Sequence, residues 1–202
     1  RVGELVDKAV ALDTLEANKV NYIKSLANAY DEQKMYKESG DWYAKVLTVK
    51  KDYNNVDLFN AGYAYYQAGL YDSSNRIFTL YTEKYDKDLF GYYMLGNANA
   101  IIDSTGKLGL AAPYYTKVIE LGEADTTAAN AKNRLLVAYK YFIGYEYNVN
   151  QDQQAALNYV NKALALAPDD QQLLSNKEFI SKNDPKVPEK KPAAPKDNKS
   201  KK

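Results

Sequence analysis

The sequence predicts an all-α protein made of repeated helix pairs, and three observations lead to that prediction. Apolar residues recur three and four positions apart along most of the chain, which is the spacing of an amphipathic helix. A short pattern of small and large residues returns after 35, 34 and 42 residues. Glycine and helix-capping residues fall between the apolar stripes. A pattern that returns at this spacing indicates a solenoid, in which stacked neighbours share one core.

The first helix of each predicted pair carries a small residue on the same face as large ones. Two helices approach closely only where one of them presents a small side chain. The central small residue of each copy is therefore expected to receive an aromatic ring from another helix. The four copies are Ile23-x2-Leu26-Ala27-x2-Tyr30, Leu58-x2-Ala61-Gly62-x2-Tyr65, Tyr92-x2-Leu95-Gly96-x2-Asn99 and Arg134-x2-Val137-Ala138-x2-Tyr141.

The second helix of each predicted pair has its own pattern, which begins with a small residue and continues with large ones. An additional copy, Val2-x3-Val6-x2-Ala9, opens the chain and is expected to be half of a repeat. The four complete copies are Ser39-x3-Tyr43-x2-Val46, Ser74-x3-Phe78-x2-Tyr81, Ala111-x3-Tyr115-x2-Val118 and Ala156-x3-Val160-x2-Ala163.

Together the two patterns resemble the signature of the tetratricopeptide repeat (TPR) family, W-x2-L-G-x2-Y followed by A-x3-F and P at a period of about 34 residues. The resemblance implies a right-handed α-α superhelix, or TPR solenoid, of about four helix pairs. A half repeat leads the array and a C-terminal helix caps it. The implied repeat domain is 1–183, with pairs at 20–52, 55–86, 89–123 and 130–168 and the capping helix at 169–182.

Glycine, proline and capping residues set the predicted helix boundaries. Pro113 is tolerated only in the first turn of a helix, so its helix is expected to begin within 109–112. Gly40 and Gly122 are expected near helix ends, and Asp125 is expected to cap the start of a helix. The third and fourth pairs carry extra residues between their halves, which lengthen either helices or loops.

The absence of two residue types, Cys and His, excludes several classes of protein function. The chain has no Cys and no His, which removes thiolate and imidazole nucleophiles, bases and metal ligands. Gly106-Lys107 lacks the upstream Gly and the following Ser or Thr of a phosphate loop. The series that begins at Asn148 and reaches Asp152 lacks the Gly and Glu of a calcium loop. We therefore predict no enzyme activity, no metal and no cofactor.

Charge is balanced over the whole chain but uneven along it. Lys and Arg number 27 against 26 Asp and Glu, which gives no basic footprint for nucleic acid. The segment 184–202 holds four of the six prolines, seven lysines and three acidic residues. This composition predicts a disordered, partly polyproline-II tail. The tail is expected to be a spacer, with weak electrostatic contact to a partner as an open alternative.

No stretch of the sequence reaches the roughly 18 consecutive apolar residues of a transmembrane helix, so no membrane span is predicted. The compartment and the oligomeric state are left open. A removed export signal upstream of Arg1 would place the protein in the periplasm or another extracytoplasmic space, and otherwise it is expected in the cytoplasm.

Tyrosine is in unusual excess, at 20 residues against 5 Phe and 1 Trp. In the TPR family the first helix of each pair lines a concave groove, and the resemblance places a row of aromatic and amide side chains there. Tyrosine supplies large contact area with a polar tip, which suits peptide recognition. The predicted partner-binding residues are Lys24, Asn28, Phe59, Tyr63, Tyr66, Phe90, Tyr93, Asn97, Tyr139 and Phe142.

These features predict a non-catalytic scaffold that binds a peptide or an amphipathic helix of a protein partner. One alternative is a structural component or assembly factor of a bacterial envelope or secretion complex, with the basic tail as spacer or tether. A second alternative is that many of the rings pack between repeats and never meet a ligand.

A carboxylate clamp, found in one subtype of the TPR family, is the remaining alternative. Lys24, Asn28 and Asn60 match three of its positions. The third repeat should then add two basic residues, but it has Phe90 and Met94 there. The sequence therefore favours the aromatic groove.

Overall fold

The computed structural model describes residues 2–128 and 130–186, and all regular structure within them is α-helical, as the sequence predicts. Residues 187–202, which make up most of the predicted tail, lie outside the described residues. The helices are α1 (Val2–Leu12), α2 (Glu16–Glu32), α3 (Tyr36–Val49), α4 (Asn55–Gln67), α5 (Tyr71–Lys84), α6 (Leu89–Ile102), α7 (Ala112–Ala124), α8 (Ala131–Asn148), α9 (Gln153–Leu166) and α10 (Gln171–Lys182).

The helices pack in series along the chain. Each helix contacts the next one, and α6 also contacts α8, the first helix of the following pair. The pairs are α2–α3, α4–α5, α6–α7 and α8–α9, with α1 as the leading half repeat and α10 as the final helix. The predicted solenoid of about four pairs is confirmed.

Aromatic rings of the second helices insert against glycines of the first helices. A Cβ atom at Gly62 would lie 2.8 Å from Cε2 of Phe78, and one at Gly96 would lie 2.7 Å from Cε1 of Tyr115. Both distances are shorter than van der Waals contact, so no larger residue fits without displacing the ring. The rings themselves are almost fully buried, which makes these insertions part of the core.

Insertion of the same kind also joins one pair to the next. Tyr65 of α4 covers Gly40, the fifth residue of α3, where a Cβ atom would lie 2.7 Å from the ring. Gly122 lies in the last turn of α7, near a helix end as the sequence predicts. The expectation for Gly40 is wrong, because this glycine lies inside α3, where the ring of Tyr65 needs the space. Asp125 follows the C-terminal end of α7 and does not cap the start of α8.

The extra residues of the third pair form the connection 103–111 between α6 and α7. Gly106 and Gly109 have positive φ angles of 69° and 66° there, which glycine adopts without strain. The side chain of Asp103 accepts a hydrogen bond from the backbone N–H of Leu108 at 2.9 Å. α7 then begins at residue 112 with a proline in its first turn, within the predicted range.

Asp57 links the first two helix pairs. Its fully buried carboxylate accepts hydrogen bonds from Nζ of Lys24 on α2 and from Nζ of Lys50 at the end of α3, each at 2.6 Å. It also accepts the backbone N–H of Asn54 at 3.0 Å, as part of a capping box that begins α4. Burial acts to raise the pKa of Asp57, but the hydrogen bonds from Lys24, Lys50 and Asn54 outweigh it, so the pKa lies below its ordinary value.

Gly96→Ala tests ring insertion. The added methyl group collides with Tyr115, and such overpacking lowers the free energy of unfolding by about 1–3 kcal/mol. Gly144→Ala is the matched control, because its nearest atom is Nδ2 of Asn148 at 3.8 Å. That change in a helix interior should raise stability by about 0.5–1 kcal/mol. Urea denaturation measures both, and equal effects of the two substitutions would contradict ring insertion.

Asp57→Asn tests the link between the first two pairs. Removing the buried charge should lower the free energy of unfolding at pH 7 by about 1–3 kcal/mol. Because the folded-state pKa lies below the unfolded value of about 3.9, the stabilisation is complete above that pH and is lost as the pH falls through the folded-state pKa.

Urea denaturation of wild type and Asp57→Asn from pH 7 down to acid measures this dependence. Asp52→Asn is the control, because this carboxylate also pairs with a lysine, Lys84, but its side chain is 96% exposed. The control should change stability little at any pH. If the difference in the free energy of unfolding between wild type and Asp57→Asn stayed the same in acid, the stabilising role of the Asp57 carboxylate would be contradicted.

Candidate functional site

Several tyrosines are tied into the fold through their hydroxyl groups. Each of these hydroxyl groups donates a hydrogen bond to an acceptor on another helix or on an adjoining turn. The hydrogen bond fixes the orientation of the tyrosine ring. Burial, followed by the bond to Asp41, raises the pKa of Tyr65 to about 12. The donor and acceptor pairs are Tyr43–Asn28, Tyr65–Asp41, Tyr81–Asp88, Tyr115–Asn97 and Tyr139–Glu123.

Three polar residues that the sequence places in the groove already have partners within the fold. Asn28 accepts the hydroxyl of Tyr43, and Asn97 accepts the hydroxyl of Tyr115 at 2.7 Å. Lys24 pairs with the buried carboxylate described above. These side chains stabilise the helix pairs, so a partner would have to compete with an existing bond at each of them.

The residue that follows the central small residue of the first helix explains why the second pair carries an exposed tyrosine. Asn28, Tyr63, Asn97 and Tyr139 each follow the central small residue of their helix. Asn occurs where the inserted ring of the second helix is a tyrosine that needs an acceptor. In the second pair the inserted ring is Phe78, which has no hydroxyl group, and Tyr63 stands at this position with 38% of its surface exposed.

Tyr139 and Phe142 were expected in the groove, but the structure buries them. They are 4% and 5% exposed. The ring of Phe142 stacks on Tyr159 of α9, with centroids 4.9 Å apart and planes at 16°. The hydroxyl of Tyr139 donates to Glu123 at 2.6 Å. Because α9 supplies a ring that covers both, these residues belong to the core of the fourth pair.

The remaining aromatic residues form one continuous surface, the aromatic face, on α4 and α6. Phe59 and Tyr63 stack with centroids 5.3 Å apart, and Tyr63 and Tyr66 stack at 6.3 Å. Phe59 also meets Phe90 of α6 at 5.4 Å, which joins the two helices. Phe59 and Tyr63 are exposed, and the others are partly buried. The aromatic face consists of Phe59, Tyr63, Tyr66, Phe90 and Tyr93.

Two residues that the sequence analysis did not assign border the aromatic face. Tyr71, the first residue of α5, meets Tyr66 edge to face at 5.5 Å. The guanidinium carbon of Arg134 on α8 lies 4.9 Å from the ring centroid of Phe90 and 5.8 Å from that of Tyr93, a cation–π arrangement. The signal for Arg134 was present in the sequence, because a charged residue stands where the repeat pattern has an apolar one.

The hydroxyl groups of the aromatic face lie close to one another. Burial raises the pKa of Tyr66, and the neighbouring phenols of Tyr71, Tyr93 and Tyr63 raise it further. Within residues 2–128 and 130–186 these four hydroxyls form no hydrogen bond with another residue, in contrast to the tyrosines tied into the fold. The hydroxyl of Tyr63, a residue that is 38% exposed, can therefore donate to an acceptor on a partner.

Clefts also lie elsewhere on the described surface. One of about 440 Å³ lies between α1 and α2 and is mainly apolar, with Leu5, Val6 and Leu26 in its lining. Another, of about 330 Å³, lies between the third and fourth pairs beside Asp88 and Arg134. In the described part of the chain no three Asp or Glu side chains come together as a metal site, and none of its helices has the length and apolar character of a membrane span.

Comparison with known proteins places the fold among TPR proteins. The C-terminal part of a TPR repeat-containing protein from Cytophaga hutchinsonii superimposes with a TM-score of 0.71 and 24% identity over 86% of this chain. This chain spans 64% of that structure's length. YrrB, described as a TPR protein with an unusual peptide-binding site, has a TM-score of 0.57 and 22% identity, covering 86% of this chain and 80% of YrrB.

No protein-family model and no curated protein matches the sequence. The relationship therefore rests on the arrangement of the helices and on the repeated patterns that produce it. The chain has the fold of a TPR protein, as its two repeated sequence patterns predict.

Proposed function

We propose that the protein is a non-catalytic scaffold that holds a peptide segment of a protein partner on the aromatic face. The observation that carries the proposal is the contrast between two sets of tyrosines. Those tied into the fold have acceptors within the chain, whereas Tyr63, Tyr66 and Tyr93 lie side by side on one surface with hydroxyl groups that no described residue uses.

The chemistry of this surface suits an extended peptide. Aromatic rings provide apolar area at a low cost in side-chain entropy, because each has only two rotatable bonds to fix. The phenol hydroxyls donate hydrogen bonds to backbone carbonyls without requiring a particular side chain. The lysine at position 24 contributes little charge to a ligand, because Asp57 already neutralises it.

The likeness to YrrB supports the class of ligand, since that TPR protein is described as having a peptide-binding site. A solenoid exposes the first helices of its pairs along one surface, and α4 and α6 are two such helices here. The alternative role in an envelope or secretion assembly has no separate observation in its favour and stays a prediction.

Substitution of Tyr63 by Ala tests the proposal. The immobilised full chain is used to select binding peptides from a random library, and the affinity of the best peptide is measured by calorimetry. Removing an exposed ring from the centre of the contact should weaken binding at least about tenfold. Helicity and unfolding should stay close to wild type, since the Tyr63 ring lies outside the core.

Phe179→Ala is the matched control, because this ring is also exposed but belongs to α10. It should leave the affinity unchanged. Unchanged affinity in Tyr63→Ala, or an equal loss in Phe179→Ala, would overturn the proposal. Failure to select any binding peptide would do the same.

A further inference from the structure

We propose that two copies of the chain associate through the outer surface of α1 and α2, with α1 of one copy antiparallel to α1 of the other. This surface, the end face, is separate from the aromatic face on α4 and α6. The inference goes beyond the proposed function, because it sets the number of aromatic faces in the assembly. The end face consists of Val2, Leu5, Ala9 and Leu12 on α1 and Tyr22 and Leu26 on α2.

The end face has the composition of a helix-pair core that lies open. α1 carries the pattern of a second helix, and in the four pairs the residue at the position of Val2 is buried. Ser74, for example, donates to the carbonyl of Gly62 on the first helix of its pair at 3.0 Å. Val2 is 59% exposed, because among the described residues α1 has no first helix paired with it. The equivalent residues, each at most 1% exposed, are Ser39, Ser74, Ala111 and Ala156.

α1 is apolar on two sides, and the fold uses one of them. Val6 and Val10 pack against the core formed with α2 and α3. The other side is the stripe of end-face residues, which are spaced three and four apart and therefore lie on one face of the helix. Within it Leu5 and Leu12 are 65% and 83% exposed. A helix that packed on one side only would carry polar residues there, so the stripe indicates an interaction surface.

A second copy supplies a helix that fits this stripe. With the twofold axis midway between Leu5 and Ala9, Leu5 of each copy lies opposite Ala9 of the other. A large residue then meets a small one, which is what allows two helices to approach closely. The α1 helix of the second copy also lies over the cleft between α1 and α2, which has a volume of about 440 Å³ and a mainly apolar lining. The same patch serves both copies, as a twofold interface requires.

Charge at the border of the stripe favours the antiparallel arrangement. Glu4 and Lys8 lie on the side of α1 away from Val6, and both are exposed. Neither of them forms an ion pair with another described residue. In the antiparallel dimer Glu4 of each copy faces Lys8 of the other. A parallel arrangement would place like charges opposite each other, and such flanking charges set the orientation of paired helices.

The opposite end of the solenoid does not offer the same contact. α10 packs like a first helix, with Leu173 and Ile180 buried against the preceding pair. Lys177 follows Leu173 by four residues, the spacing that separates Leu58 from the central Gly62 in α4. A second helix packed there would bury the ammonium group at a large cost in free energy. α1 therefore does not continue onto α10 of another copy, and association stops at a closed dimer.

The dimer carries two aromatic faces. Because α4 and α6 take no part in the end face, both aromatic faces remain open to ligands. A partner with two peptide segments can therefore engage both copies. Its second segment then binds at a raised effective concentration, which strengthens binding without any new type of contact.

Sedimentation equilibrium of the full chain tests the proposal. The wild type should fit a monomer–dimer equilibrium with no larger species. Leu5→Glu should weaken the dimer at least about a hundredfold, because its carboxylate would be buried against Ala9 of the other copy without a partner. Leu12→Glu, at the more exposed position, should act in the same direction. Helicity should stay unchanged in both variants, since both leucines are exposed in the single chain.

Phe179→Glu is the matched control, because it introduces the same charge at an exposed apolar residue of α10. It should leave the dimer intact. Species larger than a dimer, or an equal loss in Phe179→Glu, would overturn the proposal, because either result would bring the other end of the solenoid into the contact. A monomer at every concentration would also overturn it, and the end face would then belong to a helix of another protein.

A charge exchange tests the antiparallel orientation. Glu4→Lys should weaken the dimer at least about threefold, because it places like charges opposite each other at two symmetric positions. Adding Lys8→Glu to the same chain should restore the wild-type affinity. An unchanged affinity in Glu4→Lys, or no restoration in the double variant, would overturn the antiparallel pairing.

The outcome is separable from that of the proposed function. Leu5→Glu should bind a single peptide with wild-type affinity, because Tyr63 lies outside the end face. If the chain is monomeric but a peptide still requires Tyr63, only this inference fails. If the chain dimerises as described but no peptide requires Tyr63, only the proposed function fails.

Discussion

In the second and third pairs the close approach of the two helices depends on an aromatic ring that lies directly against glycine. Phe78 on Gly62 and Tyr115 on Gly96 fill spaces in which even a methyl group would collide. A single helix pair cannot bury its apolar stripes, so each insertion also orients the next pair. Tyr65 on Gly40 repeats the same contact between pairs. The same type of contact therefore occurs both within helix pairs and between them.

The same constraint decides which polar groups remain for function. A buried tyrosine hydroxyl needs an acceptor, and Asn28 and Asn97 supply it where the inserted ring is a tyrosine. A phenylalanine at position 78 makes no such demand. The equivalent position of α4 is then free to carry Tyr63, and the exposed aromatic surface begins there. The residue inserted into the core of the second pair therefore determines which side chain can stand at the exposed position of α4.

The repeated patterns were sufficient to predict the fold, because ring insertion needs a particular small residue at a particular spacing. They did not predict that Gly40 lies inside a helix, because a single sequence does not distinguish a glycine beneath an aromatic ring from a glycine at a helix end. The burial of Phe142 depends on Tyr159 of the following helix, and the pairing of Lys24 depends on Asp57, which lies two helices further along the chain. Arg134 and Tyr71 come to border the aromatic face only through contacts between helices.

The most direct measurement is a Tyr→Phe scan of the full chain that removes one hydroxyl at a time and follows both stability and peptide affinity. Loss of the hydroxyl at Tyr43 or Tyr115 should lower the free energy of unfolding and leave affinity unchanged, because those groups bond within the chain. Loss at Tyr63, Tyr66 or Tyr93 should lower affinity and leave stability unchanged. If the two groups of tyrosines respond alike, the division between structural and ligand-binding phenols is contradicted.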